Sequence, residues 1–149
     1  MTNYAITTQY LINLFKSDEL VNTILFGTVD GRELNKNDIY PLVHIMPSTV
    51  SLEGNRINIG YDLAVVNVRQ VPNHFKTDKI FGDNLIDNLN EASQILIKAL
   101  TKLELSHNPH TIDIESSSAA QPIVFADINL LDGFECSIVL SIQNELAIC

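Results

Sequence analysis

In Ile57-Asn58-Ile59-Gly60-Tyr61-Asp62-Leu63-Ala64-Val65 the large apolar side chains fall on alternate positions, with Asn58, Gly60 and Asp62 between them. A period of two places Ile57, Ile59, Tyr61, Leu63 and Val65 on one face of an extended chain, so the stretch reads as a half-buried antiparallel strand. Val66 and Val68 then break the parity, which implies a bulge or a strand covered on both sides. Upstream, Pro41-Leu42-Val43-His44-Ile45-Met46-Pro47 is a short apolar run bracketed by prolines. Proline cannot donate to a ladder, so the two mark strand ends. Glu53-Gly54-Asn55-Arg56 reads as the hairpin turn between the two strands, although it is not the two-residue Asn-Gly type.

The second periodic signal is helical. Leu85, Leu89, Ala92, Leu96, Ala99 and Leu103 step by four and three, Ile86, Ile95 and Leu100 widen the stripe, and Asp83 stands where a cap is needed. Such a face packs on a sheet rather than holding a cofactor. Tyr10, Leu11, Leu14 and Phe15, then Leu20, Val21, Ile24 and Leu25, predict helix from Tyr4 to Leu25. Lys16-Ser17-Asp18-Glu19 interrupts it, with Ser17 as the N-cap of a second, shorter helix that Gly27 stops.

Toward the C-terminal side, Thr111 to Glu115 alternates as an edge strand would, and Ser116 to Pro122 reads as flexible loop. Ile123 to Leu130 and Phe134 to Gln143 read as the arms of a hairpin whose turn is Leu131-Asp132-Gly133. The polar stretches Gly27 to Tyr40 and Val71 to Gly82 read as exposed connections. The sum is one α+β domain over residues 1–149. It holds an antiparallel sheet of about four or five strands, two helices packed on one face and a C-terminal β-hairpin. The opposite sheet face, with its Ser, Asn and Asp residues, is left to water or to another copy.

Composition bounds what such a domain does. The chain has 149 residues, 46% of them hydrophobic, which supports a core and excludes a wholly disordered chain. Lys+Arg is 9 against Asp+Glu 18, a net charge of −9. With its cations scattered, the chain lacks the clustered basic patch that grips nucleic acid or an anionic membrane. No apolar run approaches the roughly 20 residues that span a bilayer. The first residues lack the basic-then-apolar pattern of a secretory signal, and the 2 cysteines, Cys136 and Cys149, form no Cys-x-x-Cys pair, so a reduced cytosolic folding environment is expected.

The search for chemistry finds little. His107-Asn108-Pro109-His110 is the only close histidine pair, but a proline lies between them and no cysteine is near, so it reads as a solvated turn rather than a metal site. His44, inside an apolar strand, reads as a hydrogen-bonded structural residue, and Cys136 as a small inward hydrophobe. No basic or histidine neighbour activates Cys149. The glycines are scattered, and there is no phosphate-cradling loop or Gly-x-Ser-x-Gly elbow. Asp113 and Glu115 would share one face of a strand about 7 Å apart. Such a pair can serve acid–base chemistry, or it can charge an edge strand against stray pairing. No catalytic residue, metal ligand or cofactor is assigned, and an enzyme is not expected.

Four short stretches, in two pairs, carry a resemblance. Val21-Asn22-Thr23-Ile24-Leu25-Phe26-Gly27 leads to Leu34-Asn35-Lys36-Asn37-Asp38-Ile39-Tyr40-Pro41-Leu42-Val43-His44-Ile45. Much later Leu131-Asp132-Gly133-Phe134-Glu135-Cys136-Ser137-Ile138 is followed by Gln143-Asn144-Glu145-Leu146. With the order helix, strands, helix, hairpin, this resembles the tail completion, or tail terminator-like, proteins of tailed bacteriophages, which build rings in the neck between portal and tail. The resemblance implies a structural virion protein assembled in the bacterial host cytoplasm. It implies a homo-oligomeric ring of six or twelve copies that contacts portal or connector and tail proteins. Genomic DNA would pass through without specific binding, and no membrane is involved. An acidic lumen suits such a passage, with Asp113 and Glu115 as the candidate channel-facing residues. The alternative is a non-catalytic α+β binding or assembly-adaptor module.

Overall fold

The computed structural model describes residues 3–27, 40–68, 85–105, 112–126 and 131–144. It is an α+β fold in which two helices pack against one face of a six-stranded, mostly antiparallel sheet. The elements are α1 (Asn3–Lys16), β1 (Thr23–Phe26), β2 (Leu42–Glu53), β3 (Arg56–Val68), α2 (Leu85–Leu105), β4 (Asp113–Ser117), β5 (Gln121–Ala126) and β6 (Leu131–Gln143). Across the sheet the order is β1-β2-β3-β6-β4, with β5 also paired to β6. Because β3 pairs with β6 from Arg56↔Gln143 to Val68↔Leu131, β4 and β5 share the other edge of β6, one after the other.

The period-two stretch is β3, at the middle of the sheet. Ile59, Tyr61, Leu63 and Val65 meet Cys136, Ile138, Leu140 and Ile142 of β6 beneath Leu11 and Phe15 of α1 and Ala92, Ile95, Leu96, Ala99 and Leu103 of α2. Each of the Leu, Ile, Val and Phe side chains among them contributes about 1.5–3 kcal/mol by leaving water. The parity break at Val66 is a strand covered on both sides: Leu42, Ala64, Val66, Ile123 and Leu131 form a smaller cluster on the face away from the helices. Of the helical stripe on α2, Ala92, Ile95, Leu96, Ala99 and Leu103 are buried, Leu85, Leu89 and Leu100 are half-buried, and Ile86 is 59% exposed to one side of that face.

Several expectations are corrected. The sheet has six strands rather than four or five, because Thr23–Phe26 is not the second helix but a strand, parallel to β2 from Thr23↔Leu42 to Phe26↔Ile45. Its side chains fit helical spacing and strand alternation alike: Ile24 joins the helix-side core and Leu25 the smaller cluster. The break after Lys16 does occur, but Ser17 caps no second helix: its hydroxyl donates back to the Leu14 carbonyl at 2.6 Å, and Asp18 makes a turn there. Its Oδ1 accepts the Leu20 N–H at 3.0 Å. Gly27, with φ 141, closes β1 and donates its N–H to the Ile45 carbonyl at 3.0 Å.

Pro47 does not end a strand. β2 runs on to Glu53 through a register shift between Pro47 and Val50, and β1 has already stopped at the level of Ile45, so no neighbour among the described residues calls on the missing N–H. The β2–β3 turn is a two-residue loop after all, Gly54-Asn55, with Glu53 opposite Arg56 and Gly54 at φ 59, as primed hairpin turns require. Ser116 and Ser117 belong to β4 and Gln121 and Pro122 to β5, leaving only 118–120 between them. Leu131-Asp132-Gly133 is not a turn but the start of β6. Asp132 is 0% exposed, and Asn88 of α2 reaches it at 3.5 Å while donating to the Val68 carbonyl at 3.0 Å. Residues 28–39 of the predicted connection Gly27 to Tyr40, the whole of the predicted connection Val71 to Gly82, the cap Asp83 and the pair His107 and His110 lie outside the described residues, as does Cys149.

Candidate functional site

Among the described residues no helix covers the sheet's second face. Residues opposite each other in a ladder share a face, so this face carries Ser51 and Glu53 of β2, Arg56, Asn58 and Asp62 of β3, and Glu135, Ser137, Ser141 and Gln143 of β6, with Asp113 of β4 at the margin. The apolar cluster around Ala64 and Val66 covers only one end of it. The rest is polar and, among the described residues, carries four carboxylates, Glu53, Asp62, Asp113 and Glu135, against a single cation, Arg56.

The polar groups are tied to one another. Arg56 Nη2 donates to Asp113 Oδ2 and to the Ser141 carbonyl, each at 3.0 Å, while its Nε donates to Ser141 Oγ at 2.7 Å. Asn58 Nδ2 donates to Glu53 Oε2 at 2.9 Å. Ser137 Oγ donates to Asp62 Oδ1 at 2.6 Å, and the Ser137 N–H donates to Ser118 Oγ at 2.8 Å. A shallow depression of about 350 Å³ lies here, lined among others by Met46, Asp62, Ser118, Gln121, Glu135 and Ser137. No group of three or more His, Cys, Asp or Glu able to hold a metal occurs among the described residues. Burial, and then the Asp62 carboxylate, pushes the Cys136 thiol beside this depression up to about 11, so it stays protonated near neutrality and is a poor nucleophile.

The candidate residues do not converge. Asp113 sits at the β4 margin in its ion pair with Arg56. Glu115 falls at the register shift between Ile114 and Ser116, so the alternation that would set it beside Asp113 is broken there. His44 is 1% exposed, opposite Ala64 at the other end of the sheet, and its Nε2–H donates to the Gly27 carbonyl at 3.0 Å. It makes no cleft with either carboxylate. Of the other acidic residues on this face, Asp62 and Glu135 stand at polar positions of the alternating strands in the sequence, while Glu53 reads there as part of the hairpin turn. Only the strand order shows that they share a face with Asp113.

The two margins of the sheet stand level. Val50 of β2 is opposite Ile59, which is opposite Leu140, which is opposite Ile114 of β4. Beyond β1, the outer edge of β2 from residue 48 to 53 has no paired strand among the described residues, and Val50 and Leu52 on the helix side are 62% and 68% exposed. The outer edge of β4 is likewise unpaired. Among the described residues no helix is long and apolar enough to cross a membrane. The chain matches no protein-family model. It matches no curated protein at significant similarity.

Proposed function

We propose that this chain is a structural ring subunit of the tailed-bacteriophage neck, of the tail completion or tail terminator-like type, set between portal and tail. Several copies surround a channel, and DNA slides through it without being gripped. The observation that carries this reading is the two-sided sheet: helices cover one face, while among the described residues the other carries Glu53, Asp62, Asp113 and Glu135 against Arg56 as its cation. Turned toward a lumen, that face repels phosphate, where a basic face would hold it. The net charge of −9 per copy points the same way. The sequence resemblance to neck-ring proteins supplies the place, and the unpaired margins of β2 and β4 supply surfaces through which copies tile.

Electron microscopy of virions and of the purified chain tests the reading. The expected image is an annular band with the sheet inward and its carboxylates lining the hole. A lumen lined by Lys and Arg overturns the passage. A chain that stays outside the particle and acts as a soluble adaptor overturns the ring.

A further inference from the structure

We propose that the free chain pairs with a second copy of itself through the part of the β2 edge that β1 leaves bare, residues 49–53, about a two-fold axis at Ser51. The two margins of the sheet differ in how they are protected. The β4–β5 margin carries exposed Asp113 and Glu115 and, in β5, Pro122, residues that blunt an edge against pairing. On the β2 margin Ser48-Thr49-Val50-Ser51-Leu52 holds no charge and no proline. Among the described residues no strand pairs there, and Val50 and Leu52 are 62% and 68% exposed on the helix face. An uncharged edge with bare apolar side chains is a template for another strand.

The strand's own chemistry fixes the register. A two-fold axis perpendicular to the sheet runs the two β2 strands antiparallel and keeps the helices of both copies on one side. With Ser51 opposite the partner's Ser51, Val50 stands opposite the partner's Leu52 on the helix face. Glu53 stands opposite the partner's Thr49 on the second face, where Thr49 lies over Gly60. Backbone direction agrees. Glu53 and Arg56 close a two-residue hairpin, so Glu53 and Ser51 turn their N–H and C=O groups toward β3, and Leu52 and Val50 turn theirs outward. Val50 and the partner's Leu52 thus exchange both backbone hydrogen bonds. A slip of one residue sets helix-face side chains against the second face. The space is open as well. β1 ends at Phe26 opposite Ile45, and Gly27 follows on the next rung with its N–H on the Ile45 carbonyl. The partner's Gly54-Asn55 turn comes to rest beside Pro47, one rung short of Gly27. A slip of two residues toward β1 drives that turn into Gly27, and a slip of two the other way leaves Val50 facing the turn.

Charge and area set the strength. In this register no like charges stand opposite each other, and the two copies of Glu53 lie about 14 Å apart. The paired edge spans about 17 Å and buries far less than the roughly 800 Å² per partner of a stable pair. The dimer is therefore weak, and because each copy carries −9, salt strengthens it by screening. The contact is isologous and uses up its own edge, so it stops at two. It goes beyond the ring reading and does not rest on it. A neck ring with unlike ends has no such axis across its wall, so the pair covers the edge in the free chain and parts when copies close around a channel.

Light scattering of the full chain over a concentration series tests this. Monomer is expected to pass to dimer and no further, with more dimer at high salt than at low. In a Cys149→Ser background, mildly oxidised Ser51→Cys is expected to give a covalent dimer, because facing residues on a rung without backbone hydrogen bonds stand about 4.5 Å apart at Cα, within reach of a disulfide. Asp113→Cys, on the blunted margin, is expected to give none. Val50→Lys, at an exposed position, is expected to keep the circular dichroism of the parent and to weaken dimerisation at least about tenfold. A chain that is monomeric throughout overturns the proposal. So does a dimer that survives Val50→Lys or that Ser51→Cys fails to cross-link. Each of those results leaves the ring reading standing, and virions without an annular band overturn the ring reading without touching the pair.

Discussion

Gly133 lies opposite Val66 in the β3–β6 ladder, so close that a Cβ on it would stand 2.9 Å from the Val66 Cα and 2.8 Å from the Val65 carbonyl carbon. Those atoms are backbone of the central strand and cannot swing aside. Gly133→Ala is therefore expected to cost roughly 3 kcal/mol, at the upper end of overpacking penalties. Gly54 is the contrast. A Cβ there meets nothing within 4 Å, and only the φ of +59 resists it, so Gly54→Ala should cost about 1 kcal/mol. Urea titration of the two variants checks the difference, and equal losses would show that β3 and β6 part to make room.

The contact Tyr61–Thr8 gives a pH prediction. The two hydroxyls are 2.8 Å apart, and burial pushes the phenol up to about 12, more than the Thr8 hydrogen bond lowers it. The folded phenol thus holds its proton where the unfolded one, near 10, has lost it. Its contribution is complete below pH 10 and drains away as the pH rises from 10 to 12. Cys136, pushed up to about 11, adds a loss of the same sign that begins nearer 9. Tyr61→Phe should cost about 1 kcal/mol at pH 7, the usual worth of one hydrogen bond, and should flatten the alkaline limb. Melting temperatures across pH 8–11.5 decide it, and an unchanged limb would refute the assignment to Tyr61.

Arg56 and Asp113 form an ion pair at 3.0 Å with the carboxylate 72% exposed. An exposed pair contributes little, so Asp113→Asn should change stability by no more than about 0.5 kcal/mol. Arg56→Ala should cost more, about 1 kcal/mol, because the guanidinium also bonds Ser141 twice and its removal strands a buried serine hydroxyl. Chemical denaturation of both variants checks the order, and a larger loss for Asp113→Asn would reverse the account.

The parts legible in the sequence are those whose neighbours in the chain fix them. Alternation in β3 and β6 and the four-three stepping of α2 are local patterns that the core then uses. Thr23–Phe26 was misread because four residues fit either period, and what makes them a strand is β2, reached nineteen positions later at Leu42. Asp132-Gly133 was misread for the same reason. The pair normally marks a turn, but here Gly133 is required by the approach of β3 and Asp132 by Asn88 of α2. The open acidic face was half legible. The polar members of each strand could be named, but their meeting on one face depends on β6 lying between β3 and β4.

Leu96 and Ile97 are neighbours on α2 with opposite surroundings, and the pair tests the helix docking most directly. Leu96 is in the main core, beneath the strands that carry Leu63 and Ile138, while Ile97 is exposed to solvent. Leu96→Asp buries a carboxylate with no cation among those apolar neighbours, at a cost of several kcal/mol that a domain of this size, stable by about 5–15 kcal/mol, barely withstands. It is expected to be unfolded or insoluble at 37 °C. Ile97→Asp makes the same chemical change one residue on, loses no packing, and should stay within about 0.5 kcal/mol of the parent. Circular dichroism and solubility of the two proteins give the answer. A folded Leu96→Asp protein, or an unfolded Ile97→Asp protein, would mean that α2 turns a different side to the sheet.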